Sequence, residues 1–291
     1  MVTVITGASS GIGRALAVKL AERGSKLAVG ARRIDRIHEL SREIGREHIA
    51  MQLDVSRSED CNRIISAAAE KFGRLDTVVC NAGFGFARAL DEMSKEDVRR
   101  VFDTNLFGTI ECCRRAVEIM KRQERRDGYR GQLMLVSSAC ARRGLPYLSV
   151  YGATKAAQLS LAEGLRVELK PFGIAVSSVH PVLCETEFFA TADELSGMSP
   201  SALAQGAKQT PEHVADCMLR AIERPRGEVW PKAMSRLSLT IAVAMPALVD
   251  RVMGRMRDKM VREHQGRQCK GISAETDVLA DIPAEEASSV S

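Results

Sequence analysis

The chain has 291 residues, 45% of them hydrophobic, with 42 basic against 37 acidic side chains and a net charge of +5. That length and apolar content can bury the core of one large α/β domain, and no break in the pattern demands two. The charge is modest and no basic block is interleaved with aromatics, which argues against nucleic acid as a partner. Eight cysteines without a Cys-x-x-Cys pair argue against a zinc site and for a reducing compartment.

Val2 to Thr6 is a β-branched run, expected as the first strand. It follows Met1 directly, leaving no room for a charged and apolar signal segment, so the expected location is the cytoplasm. The next residues, Thr6-Gly7-Ala8-Ser9-Ser10-Gly11-Ile12-Gly13, turn into an apolar-periodic helix expected from about Ile12 to Arg23. Glycines there permit unusual backbone angles and let a diphosphate approach the helix N-terminus, whose free N–H groups and dipole favour anions. A strand before and a helix after are the context that a dinucleotide-binding turn requires. The competing reading is a tight turn without ligand.

Further apolar runs at Leu27 to Gly30, Ile49 to Leu53, Leu75 to Cys80, Gln132 to Ser137 and Ile174 to Val179 alternate with amphipathic stretches, and Gly227 to Trp230 reads as a last short strand. Such alternation predicts a parallel sheet with helices on both faces. After the second run the chain reads Gly30-Ala31-Arg32-Arg33, with no acid for a cofactor ribose. An arginine can instead pair with the extra phosphate of NADP, so Arg32 and Arg33 point to NADP over NAD. Alternatively, Arg32, Arg33, Asp35 and Arg36 form a solvated helix start. Helix starts are expected at Ser56-x-x-Glu59, Ser94-x-x-Asp97 and Thr210-Pro211, and Pro171 is expected to end the long helix carrying Tyr151 and Lys155.

Tyr151 and Lys155 are four residues apart and project from one helix face. An ammonium about 4 Å from a phenolate, at an effective dielectric of about 20, contributes roughly 4 kcal/mol. That is enough to bring a phenol down from ~10 by about three pH units. Ser138 precedes Tyr151 by thirteen residues. Hydride transfer to a carbonyl builds negative charge on oxygen, which needs one donor to polarise it and one to protonate it; Ser138 and Tyr151 fill those needs. Taken singly, a serine after a strand is turn material and a helical tyrosine is packing.

Together these residues resemble the short-chain dehydrogenase/reductase family, in its single-domain subtype. Thr6, Gly7, Ser9, Ser10, Gly11, Ile12 and Gly13 lie in a segment similar to its Thr-Gly-x-x-x-Gly-x-Gly turn. Asp54-Val55 resembles its adenine contact, and Asn81-Ala82-Gly83 the fourth-strand motif beside the cofactor. Asn105, Ser138, Tyr151 and Lys155 match its catalytic positions in order and spacing, and the resemblance runs from Met1 to about Trp230. It implies a Rossmann-type doubly wound parallel α/β sheet of about seven strands. It further implies that the tyrosine exchanges a proton with the substrate oxygen, which the serine hydrogen-bonds. The lysine also holds the nicotinamide ribose, and the asparagine helps position a water through which protons reach solvent. The expected activity is an NADP-dependent interconversion of a ketone or aldehyde and an alcohol. Its competitor is a cofactor-binding sensor or scaffold without turnover; the glycine spacing argues against sugar-nucleotide epimerase or dehydratase chemistry. One departure stands out: the family's Pro-Gly after the sixth strand is here Pro181-Val182, with Thr186 for the threonine that contacts the carboxamide. Valine resists a glycine-like angle, so either this loop is ordinary here or the nicotinamide pocket is reshaped.

Candidate substrate contacts are Phe84, Phe86, Cys140, Tyr147, Cys184 and Phe188, with Phe189 beside them, a mostly apolar set that suits a hydrophobic molecule. The alternative for such loop aromatics is simple packing. Arg142 and Arg143 are read as solvated surface or as contacts to an anionic group, and the small polar loop from Ala190 to Gln209 as a closure over the site. Leu237 to Val249 is apolar, broken by Pro246 and followed by Arg251, Arg255, Arg257, Lys259 and Arg262; it is too short and broken to span a bilayer. Three readings compete for it: a helix pair covering the core near the substrate, an oligomer contact, or a basic amphipathic surface touching membrane. The expected organisation is a dinucleotide-binding and catalytic domain at 1–232, a helical extension at 233–264 and a disordered tail at 265–291. The resemblance implies a homodimer or homotetramer, through helices at about Glu96 to Met120 and Ser149 to Lys170.

Overall fold

The computed structural model describes residues 1–45, 47–187, 208–255, 257–258 and 261–262. Phe188, Phe189, nearly all of the loop expected to close the site, and the tail 265–291 lie outside the described residues. Seven strands are described: β1 Val2–Thr6, β2 Lys26–Ala31, β3 His48–Gln52, β4 Thr77–Cys80, β5 Gly131–Val136, β6 Ile174–Val179 and β7 Glu228–Val229. They form one parallel sheet in the order β3-β2-β1-β4-β5-β6-β7. The helices are α1 Gly11–Glu22, α2 Ile34–Glu43, α3 Ser58–Phe72, α4 Lys95–Phe102, α5 Gly108–Met120, α6 Ser149–Glu168, α7 Pro211–Glu223 and α8 Ala233–Ala244, followed by α9 Pro246–Arg255.

Strands buried on both faces carry apolar side chains at successive positions, and the two-residue strand period sends them to opposite layers. Val4, Val78, Leu133 and Val176 therefore meet α3, α5 and α6 through Ile64, Ile65, Ala116, Met120 and Ala162. Ile5, Val29, Met134 and Val179 meet α1, α2 and α7 through Leu16, Leu20, Leu40, Val214 and Met218. Leu133 is wholly buried, and cutting it to alanine would cost about 2–5 kcal/mol. Cys61, Cys80, Cys112 and Cys113 are all buried in or beside the first of these layers. A hydrogen bond with Cys112 and burial push the Cys61 thiol far up, so it packs as a neutral apolar group.

Two of the three expected caps form. The Ser94 hydroxyl accepts from the Asp97 N–H at 3.0 Å, and Thr210 accepts from His213 at 3.1 Å with Pro211 as the first helical residue; each cap contributes about 1 kcal/mol. Ser56 does not cap α3, which starts at Ser58. Its N–H and hydroxyl both donate to Asp54 Oδ1, at 3.0 and 2.7 Å, because a carboxylate two residues back outcompetes the helix end. Helix α6 ends three residues before Pro171, at Glu168.

The chain order reverses between β1 and β4, and the crevice at the carboxyl ends of parallel strands beside such a switch is where ligands bind in this architecture. The glycine turn follows β1, Arg32 and Arg33 follow β2, Asn81 follows β4, Ser138 follows β5 and Pro181 follows β6. One sheet edge thus gathers nearly every residue singled out in the sequence.

Candidate active site

The glycine turn forms one end of the cleft. Gly11 has φ +55, and a Cβ there would lie 2.8 Å from Thr186 Cγ2, so only glycine lets the turn approach the loop after β6 this closely. The N-cap residue Ser10 makes no side-chain capping bond to α1, leaving the first N–H groups of a twelve-residue helix aimed into the crevice. Asn81 Nδ2 ties the end of β4 to the turn, donating to the carbonyls of Thr6 and Gly7 at 3.0 Å each. Thr6 Oγ1 accepts from the N–H groups of Asn81 and Ala82 at 3.1 Å. Asp54, Val55, Ala82 and Gly83 line the same cleft. This glycine cradle, with its open helix end, fits a dinucleotide diphosphate.

Arg33 stands at the rim. Its guanidinium donates to Ser9 Oγ at 3.1 Å, Ser10 Oγ at 2.9 Å and Glu187 Oε2 at 2.7 Å. The bond from Arg33, with a further one from Ser10, holds the Glu187 carboxyl below its usual range. Arg32 lies 6.0 Å from the Phe84 ring centroid, within reach of a cation–π contact. The arginines are therefore both the exposed start of α2 and part of the cleft wall.

At the other end, Ser138 follows β5 and its Oγ accepts from the Cys140 N–H at 3.3 Å. Tyr151 and Lys155 project from the first turns of α6. Burial pushes the Tyr151 phenol up; a hydrogen bond with Ser138 pulls the other way and does not prevail. The charge effect expected from Lys155 is not what governs the phenol. The ammonium sits 5.7 Å from the tyrosine ring centroid and is turned toward Val136 O at 2.9 Å and Gln158 Oε1 at 3.0 Å. Burial lowers Lys155 itself to about 8. Gly85 fixes the ring from behind, since a Cβ there would lie 2.5 Å from Tyr151 Cδ2.

Asn105 is fully buried in a single π-helical turn, Asp103–Phe107, between α4 and α5, a type of turn that recurs at functional sites. Its side chain pairs with the backbone of Phe84, accepting at 3.0 Å and donating at 2.9 Å, and donates to Thr154 Oγ1 at 3.0 Å. Its carbonyl accepts from Gln158 Nε2 at 2.6 Å and Thr109 Oγ1 at 2.8 Å. A carbonyl has two lone pairs, so the water implied by the resemblance has no acceptor left here. Gln158, one helical turn after Lys155, stands in that place.

The substrate contacts divide. Phe84, Cys140 and Cys184 line a cleft of about 630 Å³ that also holds Ser138, Tyr151, Lys155 and the glycine turn. Phe86 does not line it: it packs beside Phe84 and Val101, with Arg88 over its ring at 5.1 Å. Tyr147 does not either, because φ +61 turns the chain so that it packs on Ala87, Leu145 and Leu148 and its carbonyl accepts from Arg88. Burial pushes the Cys184 thiol up to about 12 and raises Cys140 as well, so both act as small apolar walls. Arg142 pairs with Glu228 at 2.7 Å and Glu163 at 3.4 Å, away from the cleft. Arg143 lines the cleft, pairs with Asp250, and has a buried Nε without a hydrogen-bond partner among the described residues.

At the Pro181 departure, Val182 keeps an ordinary backbone and its N–H donates to Gln209 Oε1 at 2.8 Å. The left-handed angle moves one residue on, to Leu183 at φ +38. Thr186 keeps its place in the cleft, beside Gly11.

Several site residues escaped the sequence reading. His180 Nδ1 meets the Ser138 carbonyl at 3.2 Å, its Nε2 meets Ser178 Oγ at 2.9 Å, and its ring stacks on Trp230 with centroids 4.3 Å apart. Burial lowers it to about 4, so it supports the serine as a neutral ring. Leu239 and Ala242 of α8, with Val249 and Met253 of α9, close the apolar side of the cleft. Gln158 alone left a signal, a polar side chain in register with Lys155 on a buried helix face. Among the described residues no group of His, Cys, Asp and Glu could hold a metal ion.

Comparison with known proteins agrees with this geometry. A family model for short chain dehydrogenases matches residues 1–196. The chain is 34% identical over 258 residues to the uncharacterized oxidoreductase YxnA of Bacillus subtilis, covering 87% of this chain and 71% of that protein. It is 36% identical over 189 residues to 11-beta-hydroxysteroid dehydrogenase-like 4A of Arabidopsis thaliana, covering 63% of this chain and 61% of the plant protein. Among solved structures it is similar to 3-ketoacyl-(acyl-carrier-protein) reductase from Brucella melitensis complexed with NADH, at TM-score 0.70 and 27% identity over 79% of this chain and 97% of the other. A short-chain dehydrogenase from Sphingobium yanoikuyae in complex with NADPH is equally similar, at TM-score 0.70 and 26% identity over 88% and 95%. A matched family model over most of the chain, a cradle for a dinucleotide and hydroxyl donors in the same cleft lead to one conclusion: the chain belongs to the short-chain dehydrogenase family, as an oxidoreductase that uses a nicotinamide cofactor on an alcohol or carbonyl.

Proposed function

We propose an NADP(H)-dependent oxidoreductase that interconverts a ketone or aldehyde and an alcohol on a hydrophobic small molecule, with Tyr151 as the general acid and base. The observation that carries this reading is one continuous cleft, which joins the Ser138–Tyr151–Lys155 group to the glycine turn and Arg33 and has mostly apolar walls. When bound, the nicotinamide supplies or accepts the hydride. Ser138 and Tyr151, already hydrogen-bonded to each other, polarise and protonate the substrate oxygen. Burial keeps the phenol protonated, so Tyr151 is ready as a proton donor. Lys155, fixed by Val136 and Gln158, sets positive charge beneath the ring as negative charge develops on the phenol oxygen.

Arg33 supports NADP over NAD: its guanidinium and the Ser10 hydroxyl already converge on one carboxylate, that of Glu187, as they would on a phosphate. Phe84, Cys140, Leu145, Leu148 and Cys184 support an apolar substrate body, and the plant relative's hydroxysteroid name fits such a cleft. The buried Arg143 Nε–H is a donor suited to an oxygen on that body. Exposed Phe107, between α4 and α5, and Val167 on α6 support self-association through those helices as a homodimer or homotetramer, measurable by sedimentation.

The test is a panel of apolar ketones, aldehydes and alcohols followed by nicotinamide absorbance with NADP(H) and with NAD(H). Turnover with NADPH preferred is expected, and replacing Arg32 and Arg33 together should raise KM for NADPH roughly tenfold or more while sparing NADH. Equal effects on both cofactors would defeat the NADP assignment, and absence of turnover across the panel would return the chain to a cofactor-binding scaffold.

A further inference from the structure

We propose that the outer face of α8 and α9 docks this enzyme on an anionic lipid surface. Helix α8 carries a single charge, Arg236, in twelve residues. One of its faces, through Ser235, Leu239 and Ala242, belongs to the cleft. The other is equally apolar and open: Met234 is 69% exposed, Leu237 56% and Ile241 52%. On α9, Val249 and Met253 face the cleft while Leu248 and Val252 face out. Among the described residues, seven of the thirteen exposed large hydrophobics lie between Met234 and Val252, a span of nineteen residues. A helix apolar on every side is one whose every side has a cover, so the outward face of this pair is matched to an apolar medium.

The shape fits a surface and not a crossing. Among the described residues no single helix is long and apolar enough to span a bilayer, and the two helices bend by 111° at Pro246. Charge then selects the occupant. Residues 232–262 hold seven basic side chains against two acidic ones, Asp250 and Asp258. Asp250 is paired with Arg143 and Asp258 with Arg257. Arg251 and Arg255 are exposed and make no ion pair among the described residues. A second copy of this chain would bring the same excess of basic charge to the other side of the interface, with Asp250 and Asp258 already paired. An anionic headgroup layer complements them and takes up the apolar side chains between them.

The docking does not depend on substrate or cofactor choice, so vesicle binding and turnover fail independently. Full-length protein is mixed with vesicles of phosphatidylcholine alone or of phosphatidylcholine with phosphatidylglycerol, and the sedimented fraction is measured. Binding to the anionic vesicles is expected to be stronger by roughly tenfold or more. Ile241→Asp with Leu248→Asp should abolish it, and Arg251→Gln with Arg255→Gln should remove the preference for phosphatidylglycerol, with NADPH affinity and melting temperature showing that each variant is folded. Protein left in the supernatant with both vesicle types, or bound equally to both, overturns the proposal. So does a dimer in sedimentation velocity that Ile241→Asp with Leu248→Asp dissociates, which would assign the face to a second copy.

Discussion

The two ends of the cleft are built by different means. Along the cofactor and catalytic side, side chains bond to backbone atoms of neighbouring strand ends: Asn81 to Thr6 and Gly7, Asn105 to Phe84, His180 to Ser138. At the substrate end, walls come from apolar side chains on segments far apart in the chain, Phe84, Cys140, Cys184, Leu239 and Met253. Hydrogen bonds to backbone are directional and fix a geometry that chemistry needs; apolar contacts fix only shape and exclusion of water. Reaction type therefore belongs to the first end and selectivity to the second.

The largest break in that division should come from Tyr151→Phe. It leaves the walls intact and removes the proton, so kcat should fall by about 10²–10⁴-fold with NADPH affinity retained. Full activity would remove Tyr151 from the chemistry. Next is His180, neutral in the fold because burial lowers it to about 4. The unfolded chain takes up that proton below an ordinary 6.5, so stability present above 6.5 is lost as pH falls toward 4, by up to about 3 kcal/mol. Urea unfolding at pH 4.5 and 7 should show this loss, and His180→Phe should flatten it; an unchanged slope would contradict the assignment.

Gln158→Leu sharpens the comparison inside the rigid end. It deprives the Lys155 ammonium of one of two acceptors and leaves buried donors and acceptors unpaired, at a cost of about 1–3 kcal/mol in stability. Lys155, already lowered to about 8, should fall further, moving the alkaline limb of the pH–rate profile down. A limb that stays put would limit Gln158 to packing. The smallest effect expected is from Glu187→Gln, which frees Arg33 of a carboxylate partner at the exposed rim. Surface pairs contribute about 0–1 kcal/mol, so NADPH should bind up to about fivefold more tightly by fluorescence titration.

Legibility in the sequence follows the same line. The strands could be read because a parallel sheet buries both faces, making stretches such as Leu133 to Val136 in β5 or Ile174 to Val176 in β6 continuous apolar runs. Tyr151, Lys155 and the glycine turn could be read because local spacing fixes their relation. Gln158 could not be assigned because its partner carbonyl lies 53 residues away, nor His180, whose ring rests on Trp230. Phe86 and Tyr147 were misjudged because apolar loop residues take whichever apolar neighbour is near, here Val101 and Leu148. Ser56 was misjudged because Asp54 competes for it locally.

The carboxamide of Gln158 has a further consequence. Its oxygen accepts from Lys155, and its two N–H bonds go to Asn105 and Thr109. An amide so saturated conducts no protons, because passing one on would require it to accept and release charge that its neighbours do not offer. The wall behind Lys155 is in that respect an insulator. A proton spent in reduction therefore reaches Tyr151 by a path that does not run through this amide.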